Sequence, residues 1–108
     1  MKVSVIGAGS WGCALARLLA INGNAVCVWS KDEREVQILK DNHEQTEKLP
    51  KVKLPESIEY TLDLAYAVKN AEVCVLAVPS AFIRSVAKDM SEYVNAEQIA
   101  FFRKASDV

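Results

Sequence analysis

The run Val3-Ser4-Val5-Ile6-Gly7-Ala8-Gly9-Ser10-Trp11-Gly12 constrains this chain more than any other stretch. A short β-branched segment meets three glycines spaced G-x-G-x-x-G, and an amphipathic helical pattern follows at once. In that setting each glycine has a physical task. Gly7 lets the chain turn sharply off the strand. Gly9, lacking a Cβ, lets a pyrophosphate approach the backbone. Gly12 lets the helix pack closely against the strand. The helix then aims its unpaired N–H groups and the positive end of its dipole at the phosphates. Without a ligand, the same pattern would be only a tight turn between strand and helix.

The rest of the chain repeats the strand–helix alternation. Residues 2–6 read as a strand buried on both faces. Ser10 is placed to cap a helix over 11–21, with Trp11, Ala14, Leu15, Leu18, Leu19 and Asn22 at helical spacing and Arg17 on the other side. Gly23 stops it. Ala25 to Trp29 form a second strand, and Asp32 caps a helix running to about Asp41. The stretch from Asn42 to Ser57 holds Leu49-Pro50 and Leu54-Pro55, which exclude regular helix; it reads as a surface excursion anchored by its leucines. A third strand follows at 58–60. Thr61 then caps a helix carrying Leu64, Ala65, Ala67, Val68 and Ala71. Val73 to Val78 is the most apolar strand. Pro79 ends it, and Ser80 opens a helix with Ile83, Val86, Ala87, Met90 and Val94 on one face. A fifth strand spans 99–102. Such alternation with short connections gives an α/β fold of Rossmann type, a doubly wound parallel sheet of order 3-2-1-4-5. Residues 1–102 form one dinucleotide-binding domain, and 103–108 an irregular tail.

Composition narrows the partners. The chain has 108 residues, about half of them apolar, and a net charge of -1 with both signs intermixed. No basic stripe suits nucleic acid, and no apolar run nears the roughly 20 residues that span a bilayer. A strand begins at the N-terminus, which leaves no room for a signal peptide. Cys13, Cys27 and Cys74 lie in apolar segments with no Cys/His ligand spacing. They read as reduced buried thiols of a cytoplasmic protein without a metal site. His43, the sole histidine, reads as a surface residue.

The second strand's end bears on which dinucleotide binds. NAD sites place a carboxylate about 20 residues past the glycines, on the ribose 2′-hydroxyl. Here Ser30 and Lys31 stand there. Ser30 can donate to a 2′-phosphate and Lys31 can neutralise it, which favours NADP; NAD and dual use stay open, and Lys31 is otherwise a solvated loop charge.

Gly7-Ala8-Gly9-Ser10-Trp11-Gly12 resembles the fingerprint of NAD(P)-dependent glycerol-3-phosphate dehydrogenase, the tryptophan before the last glycine being distinctive. Val28-Trp29, the segment from Asn42-His43-Glu44 through Leu49-Pro50 to Leu54-Pro55, and Ala77-Val78-Pro79-Ser80 with Phe82-Ile83 are similar to that family in the same order. The resemblance implies hydride transfer between NAD(P)H and dihydroxyacetone phosphate, giving sn-glycerol 3-phosphate for phospholipid synthesis. It implies that Ser10 and Trp11 meet the cofactor pyrophosphate and that Lys31 lies at the adenosine end. Phe82, just beyond Pro79, would pack on the nicotinamide side. From the residues alone, Trp11 and Phe82 are equally core residues and Ser10 equally a cap. Lys104 matches the family's lysine after the fifth strand, which reaches cofactor and substrate, but Ala105 stands where that family has glycine. The family's second, helical domain supplies the catalytic lysine and most of the substrate pocket. No catalytic residue is therefore assigned in this chain, which is expected to bind cofactor and to be inactive alone. Two rivals remain: a stand-alone nucleotide-binding module, and a self-associating module whose apolar surface pairs with a second copy as a homodimer.

Overall fold

The computed structural model describes residues 1–94 and the strand at 99–102. Nine elements alternate along it: β1 (Lys2–Ile6), α1 (Ser10–Ile21), β2 (Ala25–Trp29), α2 (Glu33–Asn42), β3 (Glu59–Thr61), α3 (Leu64–Lys69), β4 (Val73–Leu76), α4 (Ser80–Ser91) and β5 (Ile99–Phe102). All neighbouring strands run parallel, in the order β3-β2-β1-β4-β5. This is the doubly wound sheet expected from the sequence. β1 is central: Val5 pairs with Val28 of β2 on one side and Val75 of β4 on the other.

Period-two alternation along these strands feeds two cores. Val5, Val26 and Val28 join Cys13 and Ala16 of α1 and Val36 and Leu39 of α2 on one face. Ile6, Trp29, Cys74 and Leu76 join Ala67 and Val68 of α3 and Val86 and Met90 of α4 on the other. Ser4, buried between strands, donates its hydroxyl to the Ala67 carbonyl at 2.6 Å, which satisfies it and ties α3 to β1.

Several local expectations need correction. Gly9, not Ser10, is the N-cap of α1, and no side chain caps that end. The chain is still extended at Gly9, and Ser10 is already helical. The buried face of α1 is Gly12, Cys13 and Ala16, with Leu19 and Ala20 partly covered, whereas Ala14, Leu18 and Ile21 face outward. Gly12 sets this rotation: a Cβ there would collide with the Gly7 carbonyl oxygen, so the helix lies very close to the turn and presents only small side chains to it. Thr61 closes β3 rather than capping α3. Its hydroxyl accepts from the Asp63 N–H at 2.9 Å, and Asp63 is the cap, accepting from the Tyr66 N–H at 3.1 Å. β3 thus starts one residue later than expected, and β4 ends at Leu76 rather than Val78.

Asp32 caps α2 as expected, accepting from the N–H groups of Arg34 and Glu35. The excursion after α2 is anchored by Leu54, buried, and Leu49, half-buried. It turns at Lys51, which sits at φ 67°, a left-handed conformation costly for a side-chain-bearing residue. His43 is no simple surface residue. It ends α2 in the left-handed region, is half-buried near Tyr60, and its Nδ1 is buried without a hydrogen-bond partner among the described residues. Residues 103–108, the expected tail, lie outside the described residues. No described helix is long and apolar enough to cross a membrane.

Candidate functional site

A cavity of about 460 Å³ opens at the carboxyl ends of β1, β2 and β4. It lies where the chain switches from building one side of the sheet to building the other, the place where doubly wound sheets hold ligands. Its floor is the glycine turn. Gly7 has φ +131°, and a Cβ there would run into the Ala77 carbonyl. Gly12 is closed by the Gly7 carbonyl. Gly9 differs: a Cβ placed on it meets nothing within 4 Å. Two glycines are thus filled by the fold, while the third faces open cavity at the uncapped start of α1. That is the vacancy a phosphate on bare backbone requires.

The walls come from three other segments. Ser10 is exposed and Trp11 half-buried at the first turn of α1; Trp11 lines the cavity and also packs against the core. Pro79, the N-cap of α4, and Phe82 form an apolar wall, and Phe82 is 46% exposed, not a core residue. Lys31 extends from the end of β2 with its Nζ 4.7 Å from the Phe82 ring centroid, a cation–π distance. The sequence reading put Lys31 and Phe82 at separate ends of the cofactor; the structure brings them together, because β2 and β4 flank β1 and their exits converge. Lys104 lies outside the described residues.

Ser30 departs from its expected role. It is buried, and its hydroxyl donates to Glu35 Oε1 at 2.7 Å while accepting from the Asp32 N–H at 3.1 Å. Its proton is therefore already committed to a carboxylate. That carboxylate was missed: Glu35, in the first turn of α2, lines the same cavity. Its Oε2 accepts from Gln45 Nε2 at 3.0 Å and from Lys48 Nζ at 2.8 Å. Gln45, fully buried, also donates to the Ala8 carbonyl at 2.6 Å, so the excursion is bolted to the glycine turn. Lys48 is held above its ordinary pKa by the hydrogen bond from its ammonium to Glu35, and so remains charged. One sequence signal pointed to Glu35: it stands three residues after the Asp32 cap, the spacing of a capping box, and only slightly beyond the usual place for a ribose-binding acid. Nothing local pointed to Gln45.

The thiols are inert by comparison. Burial pushes Cys13 and Cys27 up to about 12 and Cys74 up to about 11. Among the described residues, no group of three or more His, Cys, Asp and Glu is placed to hold a metal ion.

Residues 2–103 match the family model for the NAD-dependent glycerol-3-phosphate dehydrogenase N-terminus. The chain belongs to this family. It is the nucleotide-binding N-terminal domain of the NAD(P)-dependent glycerol-3-phosphate dehydrogenases, as the fingerprint with Trp11 implied. The glycerol-3-phosphate dehydrogenase [NAD(P)+] of Agathobacter rectalis is 51% identical over 98 residues, covering 91% of this chain and 29% of the relative. That of Fusobacterium nucleatum is 48% identical over 99 residues, covering 92% and 30%. The crystal structure of glycerol-3-phosphate dehydrogenase from Coxiella burnetii superposes with a TM-score of 0.90 at 27% identity, over 95% of this chain and 32% of that one. The chain thus spans about 30% of the length of these curated glycerol-3-phosphate dehydrogenases.

Proposed function

We propose that this chain is the cofactor-holding part of an enzyme that transfers a hydride between NAD(P)H and dihydroxyacetone phosphate, giving sn-glycerol 3-phosphate for phospholipid synthesis. The observation that carries the cofactor reading is the contrast at the turn: the fold fills the space at Gly7 and Gly12 and leaves it open at Gly9, beneath the cavity. Gly9, Ser10 and Trp11 would cradle the pyrophosphate with backbone N–H groups and the α1 dipole. Pro79 and Phe82 would cover apolar parts of the cofactor, and Lys31 would meet its adenosine end. The nicotinamide, when bound, supplies or takes the hydride; the chain's own part is to bind and orient it. Lys104, by its place after the fifth strand, is the residue proposed to reach both cofactor and substrate.

Hydride transfer also needs acid catalysis at the carbonyl and a pocket for the phosphate. No described side chain is assigned to either, and the relatives are more than three times as long. The 108-residue chain is therefore proposed to bind cofactor and to turn over dihydroxyacetone phosphate poorly or not at all. Fluorescence titration with NADPH and NADH, beside a coupled assay with dihydroxyacetone phosphate, tests both halves. Saturable binding without turnover is expected. Absence of binding overturns the cofactor reading, and turnover by the chain alone overturns the division of labour. One observation favours self-association as well: Leu18 and Ile21 on the outer face of α1 are each 56% exposed, and apolar groups so placed promote pairing. Size-exclusion chromatography of wild type and Leu18→Glu reads this directly, with a dimer that dissociates in the variant as the supporting result.

A further inference from the structure

Three ion pairs are present among the described residues, and one of them faces the cavity. Arg34–Glu47 and Lys53–Glu44 lie outside it, each with a lysine or arginine side chain more than 70% exposed. Glu35–Lys48 is built differently. The Glu35 side chain is 13% exposed, and both its oxygens are engaged: Oε1 by Ser30, and Oε2 by Gln45 and Lys48. Lys48 is 54% exposed on a flexible stem. The carboxylate is therefore fixed and the ammonium is free to move. If Lys48 leaves, Ser30 and Gln45 still hold Glu35 in place.

The charges lining this end of the cavity are Lys31 and Lys48, positive, and Asp32 and Glu35, negative. Asp32 is occupied as the α2 cap. A bare carboxylate at Glu35 would accept from a ribose 2′-hydroxyl and repel a 2′-phosphate. A carboxylate already matched by an ammonium repels far less, and the ammonium itself can pair with the phosphate.

We propose that Glu35 and Lys48 together are the selector for the 2′ position of the cofactor's adenosine ribose. Glu35 accepts from the 2′-hydroxyl of NAD(H); Lys48 moves off Glu35 to meet the 2′-phosphate of NADP(H). The pair lets one site take either cofactor, and its balance sets the preference. This rests on the reading that the cavity holds a nicotinamide dinucleotide.

The test is titration of the 108-residue chain with NADPH and NADH, with 2′,5′-ADP and 5′-AMP as probes that lack the nicotinamide. Wild type is expected to bind both cofactors. Lys48→Gln leaves Glu35 bare, so NADPH and 2′,5′-ADP bind about tenfold more weakly while NADH and 5′-AMP change less than about threefold. Lys48→Arg keeps the charge and restores NADPH binding. Glu35→Gln moves the ratio the other way, toward NADPH. Lys48 is exposed, so its variants keep the fold, which the thermal midpoint verifies. Parallel weakening of both cofactors, or no change in their ratio, overturns the selector while leaving the cofactor site intact. Failure of wild type to bind any of the four probes overturns the cofactor reading itself, and the selector with it.

Discussion

The two ends of the cavity are built on different principles. The glycine-turn end is made of backbone from one short run, Gly7 to Gly12, in which absent side chains do the shaping. The Glu35 end is made of side chains from three segments: Ser30 after β2, Glu35 in α2, and Gln45 and Lys48 in the excursion. The first is fixed at Gly7 and Gly12 by sterics that tolerate almost no change, with only Gly9 left open. The second is a network of hydrogen bonds in which members can be exchanged one at a time. On the proposed reading, the rigid floor would hold the anion and the adjustable rim would tune selectivity.

The comparison breaks first at the floor. Gly7→Val forces a β-branched residue to φ +131° and into the Ala77 carbonyl. It is expected to destabilise by about 3 kcal/mol or more, as loss of the cooperative urea transition would record. An unchanged transition would mean that the turn is not sterically locked. Next is the bolt between the two ends. Gln45→Leu leaves the buried Ala8 carbonyl with only the weak Cys13 thiol donor at 3.4 Å, and takes one of the two donors from Glu35 Oε2. A loss of about 1–3 kcal/mol is expected from urea midpoints. A loss near zero would show that the ends are not coupled through the excursion.

The core beneath both ends supplies the third. The thiols of Cys13, Cys27 and Cys74 are raised from an ordinary 9.0 to about 12, 12 and 11. A group raised in the fold gives stability that is whole below its unfolded pKa and drains away as pH climbs through its folded one. Stability is therefore expected to fall from about pH 9 upward, because the unfolded chain loses these protons first. Comparing the slope of midpoint against pH with that of a Cys13→Ala, Cys27→Ala, Cys74→Ala variant isolates the thiols from lysine and tyrosine; the variant is expected to be flatter. The smallest effect lies in the excursion, away from the cavity lining. Lys51→Gly relieves a left-handed residue in the excursion and is expected to stabilise by about 0.5–1 kcal/mol, less whatever the unfolded chain gains in freedom.

What was legible in the sequence follows the same division. The turn, the strand order and the alternation of layers rest on local signals: glycine spacing, β-branched runs and prolines. Where two local signals compete, the reading slips. Thr61 and Asp63 are both good caps, and the choice of Asp63 depends on β3 holding Thr61 in its ladder. The apolar residues of α1 suggested a face through Leu15 and Leu18, but Gly12 packs so tightly that small residues take the inside. Gln45 meets Ala8 across 37 positions in the chain, and no pattern around residue 45 announces it. Ser30 was given a ligand because its true partner, Glu35, becomes a neighbour only once α2 folds back on β2.

Gly9 carries the account's central claim, since it is the one glycine of the three whose missing side chain the fold leaves unfilled. Gly9→Val has a φ of −74° to occupy and a Cβ with nothing within 4 Å of it. The variant is expected to unfold within about 1 kcal/mol of wild type, the ordinary loss at a helix cap, while NADPH and NADH binding drop below detection. A folded Gly9→Val chain that still binds either cofactor at wild-type affinity would contradict a diphosphate resting on this turn.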